Sequence, residues 1–368
     1  MRALGLMSGT SLDGIDLAMI ETDGETIHAL GPTRTVAHSP ETRAACRQAS
    51  GEAMRWRQGT PVPDSVAAAA DLITEAHRRA IAGFLAEAGP VEVIGFHGQT
   101  VMHRPAEGLT WQVGDGGRLA DLFGIEVVGQ FRLADVAAGG QGAPLAPLYH
   151  RALARGLAGQ RGPVAVLNLG GVGNVTWISD DPAVGPVAFD TGPGNALIDD
   201  WALHHTGVPI DRDGALAGAG RVHGELVDLF RGHPFFDLPA PKSLDRDDFT
   251  GQPVRGLSAA DGAATLTAFT VEAAAAARRH FPEPATRVLV TGGGRLNPVL
   301  MAMLRARLGV PVEPVETVGW RGDSLEAEAF GFLAVRSLKG LPLSMPGTTG
   351  VPGPQTGGQL FRPRRMSR

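Results

Sequence analysis

Short apolar runs and longer amphipathic stretches take turns along this chain. Residues 2–7 (RALGLM) and 15–22 (IDLAMIET) are apolar runs of strand length on either side of a polar turn. Between 65 and 89, Leu72, Ile73, Ala76, Ala80, Phe84 and Leu85 recur at helical spacing on one face. Gly89 and Pro90 stop that helix. Residues 91–96 and 124–129 read as short strands, and 144–157 as a helix. Strands are expected at 163–170, 174–179 and 186–189, and helices at about 195–206, 221–231 and 262–280. A strand at 287–292, a helix at 297–308, a strand at 310–315 and a helix at 324–338 complete the pattern. From Leu341 onward Pro, Gly and Thr predominate, which predicts a tail extended and packed on the surface, or partly disordered. Strands mixed with crossover helices predict an α/β architecture.

A chain of 368 residues exceeds the size at which one core usually stops growing, so two domains are expected. Gly and Pro cluster near 138–144 and suggest domains of 1–140 and 141–368. The two halves open on the same plan. LGLMSGTSLDGIDLAMIE and VLNLGGVGNVTWIS each run from an apolar strand through a Gly-rich polar turn into another strand. No repeat of solenoid period accompanies this echo.

Composition narrows the partners. The net charge of -5 argues against nucleic acid or an anionic membrane. A single cysteine, Cys46, excludes an internal disulfide and a cysteine zinc cluster. No apolar run reaches the roughly 20 residues that span a bilayer. Gly5, Ser8, Gly9 and Asp13 interrupt any signal-peptide core, so a cytoplasmic protein is expected. Lysine occurs only at Lys242 and Lys339, which limits any mechanism that needs one.

Several turns carry candidate chemistry. In GTSLDGID, residues 9–16, glycines let backbone N–H groups face an anion, and Thr10 and Ser11 add hydroxyls. Asp13 and Asp16 would repel phosphate unless a divalent cation lies between. A solvated hairpin tip is the competing reading. NLGGVGNVT, residues 168–176, lacks the third glycine and following helix of a dinucleotide fingerprint. It reads as a β-turn-β phosphate cradle or as a hairpin, and its match to the first turn favours the cradle. In FDTGPGN, Asp190 ends a strand ahead of a helix that Asn195 suits as N-cap. VTGGGRLNP runs from a strand through three glycines into a helix beginning at Asn297 and Pro298, where a flat ring can lie against the backbone. His97, Gln99, Arg132, Asp135 and Gln141 are candidates to line a site for a polyhydroxyl or carboxylate ligand. His97 and His103 lack an acidic partner at metal-ligand spacing and read by default as structural. Lys242, Ser243 and Arg246 are candidate anion contacts in a charged loop. Glu326 and Glu328 share a helix, with solvent the default for each.

Together these stretches resemble the actin/Hsp70/sugar-kinase superfamily, and more closely the anhydro-N-acetylmuramic acid kinase family. GLMSGTSLDGID, GFHGQTVMH, FRLADVAAGGQGAPLAP, NLGGVGNVT, FDTGPGNALID, GGGRLNP and GDSLEAEAF occur in that family's order from Gly5 to Phe330. The resemblance implies a two-domain actin-like ATPase fold with an interdomain cleft. It implies ATP and Mg²⁺ as cofactors, an amino sugar as substrate, and a homodimer. The implied reaction opens the 1,6-anhydro bond of anhydro-N-acetylmuramic acid with water and phosphorylates O6, in peptidoglycan recycling. Asp190 matches the catalytic aspartate. Gly9, Thr10, Ser11, Leu12, Asp13, Gly14, Ile15 and Asp16 match the ATP-binding stretch. Asn168, Gly170, Gly171, Asn174, Gly292, Gly293, Gly294 and Asn297 are assigned to ATP on the same ground. His97, Gln99, Arg132 and Glu326 are assigned to the sugar, with Arg132 set against its lactyl carboxylate. Asp13 or Asp16 would hold the metal through water. The chain departs from the family at GGVGN, where GGIAN is expected, and at PKSLDRDDF, where PKSTGREYF is expected. A kinase of the same fold for another sugar, or an actin- or Hsp70-like ATPase that phosphorylates no small molecule, are the alternatives.

Overall fold

The computed structural model describes residues 1–364. Contacts divide the chain into two compact units, one of residues 1–156 joined by 324 onward, the other of residues 157–323. The Gly/Pro cluster near 138–144 is held inside the first unit, where Gly142 N–H donates to Asp135 and His103 Nε2 bonds Gln141 O.

In the first unit β1 (Arg2–Ser8), β2 (Gly14–Thr22) and β3 (Ile27–Ala37) form an antiparallel meander. Helices α1 (Pro40–Ala53) and α2 (Asp64–Ala88) follow, then β4 (Val93–Arg104), which runs parallel to β1. Strand β5 (Leu109–Val113) folds back on β4. Helix α3 (Gly116–Phe123) leads to β6 (Glu126–Gly129), parallel to β4, and α4 (Leu133–Ala137) and α5 (Pro147–Arg155) complete the stretch.

The second unit repeats the plan. Strands β7 (Val164–Leu169), β8 (Val172–Ile178) and β9 (Val187–Pro193) form an antiparallel meander. Helices α6 (Ala196–Thr206), α7 (Ala215–Ala219), α8 (Gly224–Arg231) and α9 (Ala259–Ala277) precede β10 (Arg287–Thr291), which runs parallel to β7. Helix α10 (Pro298–Leu308) then leads to β11 (Val312–Pro314), parallel to β10. Strand orders β3-β2-β1-β4-β6 and β9-β8-β7-β10-β11 are therefore the same. The echo between the two Gly-rich turns marks a duplicated topology, with each turn joining the first two strands of its sheet.

The chain then returns to the first unit as α11 (Leu325–Leu338), α12 (Pro346–Thr349) and β12 (Gln359–Phe361). Gly5 and Gly95 admit α11, because a Cβ on either would lie 1.7 Å from Ala327 O and 2.1 Å from Phe330 O respectively. On the opposite face Leu4, Leu6, Ile94 and Phe96 pack with Cys46, Ile73 and Phe84 of α1 and α2. Period-two alternation thus splits β1 between two helical layers. The tail is built in: β12 pairs antiparallel with β6, and buried Thr349 and Ser344 bind the Asp135 carboxylate. In the second unit the sheet packs on α9 and α10, while the other side of α9 meets an aromatic layer that includes Trp201, Phe230, Phe236 and Phe249. No helix among the described residues is long and apolar enough to cross a membrane.

Candidate active site

The first turn, between β1 and β2, is shaped to present its backbone. Leu12 N–H donates to Gly9 O at 3.1 Å, and Leu12 adopts a left-handed φ of 62°. Its side chain is buried, as is that of Ile15, so only their backbones face outward from the loop. Among the described residues the N–H groups of Thr10 and Ser11 have no protein acceptor, and both residues are exposed. A Cβ on Gly9 would meet nothing closer than 3.8 Å, so packing inside the protein does not demand a glycine there. That combination suits an external anion. Asp13 is exposed, whereas half-buried Asp16 accepts from Thr35 Oγ1 at 2.6 Å. No cluster of three metal-ligating side chains forms among the described residues. Magnesium held mainly by phosphate and water needs only one or two carboxylates, and this pair meets that need.

The second turn, at Gly170–Gly171, is fastened from one side. Asn195 N–H donates to Gly170 O at 2.7 Å, and Gly194 and Ala196 N–H groups donate to Gly171 O at 2.9 and 3.1 Å. The start of α6 thus consumes the turn's carbonyls. The Gly170 and Gly171 amides have no acceptor among the described residues. Asn195 does not cap α6 with its side chain, as its position suggested; its Nδ2 donates to Leu169 O at 2.7 Å and braces the turn. A Cβ on Gly194 would fall 2.2 Å from Gly170 O, which explains the glycine.

Asp190 stands in a polar row. Across the sheet Thr291 pairs with Asn168, Asn168 with Asn174, and Asn174 with Asp190, so all four project on one face. Leu244 N–H donates to Asp190 Oδ2 at 2.8 Å, and Asp190 N–H donates to Lys242 O at 2.9 Å. Burial pushes the Asp190 carboxyl up to about 7, the Leu244 amide pulls it back, and Asp245 raises it again. The candidate anion contacts nearby are engaged elsewhere. Lys242 Nζ donates to Phe235 O at 2.9 Å, and Arg246 pairs with Asp200 at 2.7 Å. The loop's backbone, rather than its cations, serves Asp190.

Beyond β10, Gly292 takes a φ of +75° and leads through the turn Gly293–Leu296 into α10. The Asn168 side chain fills the space beside Gly292, where a Cβ would lie 2.4 Å from Asn168 Oδ1. Asn297 Oδ1 caps α10, accepting from Val299 and Leu300 N–H at 3.0 and 3.1 Å. Buried Arg295, which the pattern did not single out, ties the turn to Glu316 and Asp323 at 2.8 Å each.

The residues assigned to the sugar separate into two kinds. Arg132 is held in place: Nε and Nη2 lie 3.2 and 3.0 Å from His97 Nε2, and Nη1 donates to Gly142 O at 2.7 Å. His97 Nδ1 bonds Gly98 O at 2.9 Å, so its Nε2 is the accepting nitrogen. Burial, with Arg132 beside it, holds His97 well below the usual histidine range and hence neutral. Burial lowers Arg132 to about 10, and Glu326 and Asp135 oppose that shift. Glu326, at the start of α11, is exposed; surrounding protein raises its carboxyl, Arg132 lowers it and Asp16 raises it. Glu328 is fully buried against expectation, accepting from Tyr149 Oη at 2.6 Å. Gln99 is buried too, bonded to Ser8 and to Gly9 O, so it serves the first turn.

Two units of one α/β topology each present a Gly turn whose backbone amides have no acceptor among the described residues. A sequence profile described as anhydro-N-acetylmuramic acid kinase matches residues 1–363, and the chain belongs to that family. Relatives named anhydro-N-acetylmuramic acid kinase include one from Paramagnetospirillum magneticum, 57% identical, covering 99% of this chain and 100% of its own. Another, from Rhizorhabdus wittichii, is 54% identical over 99% of both chains. Among solved structures, component A of (R)-2-hydroxyglutaryl-CoA dehydratase from Acidaminococcus fermentans aligns over 91% of this chain and 99% of its own, at 14% identity and a TM-score of 0.45. A ROK family glucokinase from Streptomyces griseus, in complex with glucose and AMPPNP, aligns over 91% of this chain and 99% of its own, at 15% identity and a TM-score of 0.41.

Proposed function

We propose that this protein is an ATP-dependent kinase that opens 1,6-anhydro-N-acetylmuramic acid with water and phosphorylates O6. The products are N-acetylmuramic acid 6-phosphate and ADP, and the reaction belongs to peptidoglycan recycling. The match to the family along nearly the whole chain carries the reading. Asp190 supplies the base. A carboxyl tuned to about 7 is half-deprotonated near neutrality and takes a proton from water as the water oxygen bonds to the anomeric carbon. The bond from that carbon to O6 breaks, O6 bonds to the γ-phosphorus, and ADP departs.

The remaining roles follow the side chains. Amides of Gly9–Ser11 and of Gly170–Gly171 hold phosphates, with Asn168, Asn174 and the Gly292–Gly294 turn serving the rest of the nucleotide. Asp13 or Asp16 would hold Mg²⁺ through water, and the ion would supply neutralisation of charge on the phosphates. Phosphoryl transfer depends mostly on positioning and charge neutralisation, so the lack of a P-loop lysine is no obstacle. Arg132, oriented by neutral His97, meets the lactyl carboxylate, and Glu326 offers an acceptor to a sugar hydroxyl. An actin-like ATPase fold, a cytoplasmic setting and a homodimer are part of the same reading, supported by the motifs that mark the family. The test is incubation with ATP, Mg²⁺ and the anhydro sugar. ADP should appear in step with a sugar 6-phosphate that has a free reducing end. ADP released equally with and without the sugar would overturn the kinase reading.

A further inference from the structure

Beneath the first Gly turn lies a buried hydrogen-bond chain that the proposed mechanism does not use. Gln99 Nε2 donates to Gly9 O at 3.1 Å and to Thr100 O at 3.3 Å. Both partners are carbonyls, so the amide nitrogen must face them and Oε1 must face Ser8. Ser8 Oγ therefore donates to Gln99 Oε1, at 2.6 Å. Its remaining contact, His38 Nε2 at 2.8 Å, must then be the donor. This fixes the histidine tautomer: Nε2 carries the proton and Nδ1 does not. Nδ1 is buried with no partner, so protonating it would strand a charge. Burial and Arg43 both disfavour the charged ring, against a weaker pull from Asp13. The His38 backbone closes the other end of the turn, its N–H donating to Asp13 O at 3.1 Å.

We propose that His38 and Ser8 are positioning residues for ATP, fixing both carbonyl ends of the Gly9–Asp13 turn so that the Thr10 and Ser11 amides point at phosphate. Ser8, Gln99 and His38 come from β1, β4 and the segment after β3, so the turn is registered against two strands of the sheet and the exit from a third. The proposal rests on the ATP-binding reading of this turn. His38→Leu removes the donor, and His38→Gln restores a side-chain N–H toward Ser8. His38→Leu and Ser8→Ala should each raise KM for ATP about tenfold, the effect of one lost buried hydrogen bond, with KM for the sugar unchanged. Exchange at the Leu12 amide, which donates to Gly9 O across the turn, should quicken in both, and His38→Gln should return both readouts to within about threefold of the native protein. An unchanged KM for ATP, an equal rise in both KM values, or a His38→Gln protein as impaired as His38→Leu overturns the proposal. If the native protein shows no sugar-dependent turnover, the kinase reading fails separately. Amide exchange still decides then, and equal rates in native and Ser8→Ala protein overturn the positioning role.

Discussion

At the scale of single residues, the proposed chemistry rests on Asp190. The sequence places it at a strand end before a helix; the helix follows at Ala196, but β9 runs on to Pro193 and holds Asp190 mid-strand. Its tuning is not legible in the sequence, because Leu244 and Asp245 reach it from more than 50 residues away. A base with a carboxyl near 7 must be deprotonated to work, so kcat should fall as pH drops through about 7. The stability sign is opposite. The folded carboxyl sits above its ordinary 3.8, so its contribution to stability is full below that value and lost as pH rises through about 7. Asp190→Asn should therefore melt higher than the native protein at pH 8, with the gap narrowing as pH falls toward 4. Arg132 belongs to the same scale. Arg132→Ala should raise KM for the sugar at least about tenfold, the loss of one charge-assisted contact, and leave KM for ATP unchanged. A pH-rate profile, thermal melts and steady-state kinetics check the three.

At the scale of elements, the two Gly turns differ in what their glycines do. Gly171→Ala meets nothing within 4 Å, so the melting temperature should hold while ATP affinity weakens. Gly194→Ala drives a Cβ into Gly170 O, so melting temperature and ATP affinity should fall together. Titration calorimetry beside thermal melts separates the two outcomes. The tail makes a second case. Asp135→Ala leaves the Gly142 amide and the Ser344 and Thr349 hydroxyls without their acceptor, at a cost of several kcal/mol read by denaturant unfolding. Residues after Leu341 read as a tail extended and packed on the surface, or partly disordered, because Pro, Gly and Thr carry no periodicity; their hydroxyls and β12 in fact close the first unit. Strand β3 and helix α1 escaped the pattern for related reasons. β3 is an edge strand with no fully buried position, and α1 buries only Thr42, Cys46, Ala49 and Ala53, small residues with a weak stripe.

At the scale of the whole molecule, the echo of two short turns proves to be part of a topology used twice, with strands in the same order in each unit. The return of α11 to the first unit was not foretold, because the glycines that admit it, Gly5 and Gly95, lie more than 200 residues before it. The departures from the family's wording are absorbed locally. Gly173 sits inside β8, where Thr191 Oγ1 would lie 2.6 Å from any added Cβ, and the altered loop still delivers the Leu244 amide to Asp190. The central claim is that Asp190 is the base of a sugar kinase. The most direct measurement compares native and Asp190→Asn protein for formation of the sugar 6-phosphate, with ATP affinity measured on the same preparations. The account predicts product formation lower by about 10²–10⁴-fold with ATP affinity within twofold. Turnover retained in Asp190→Asn would contradict it.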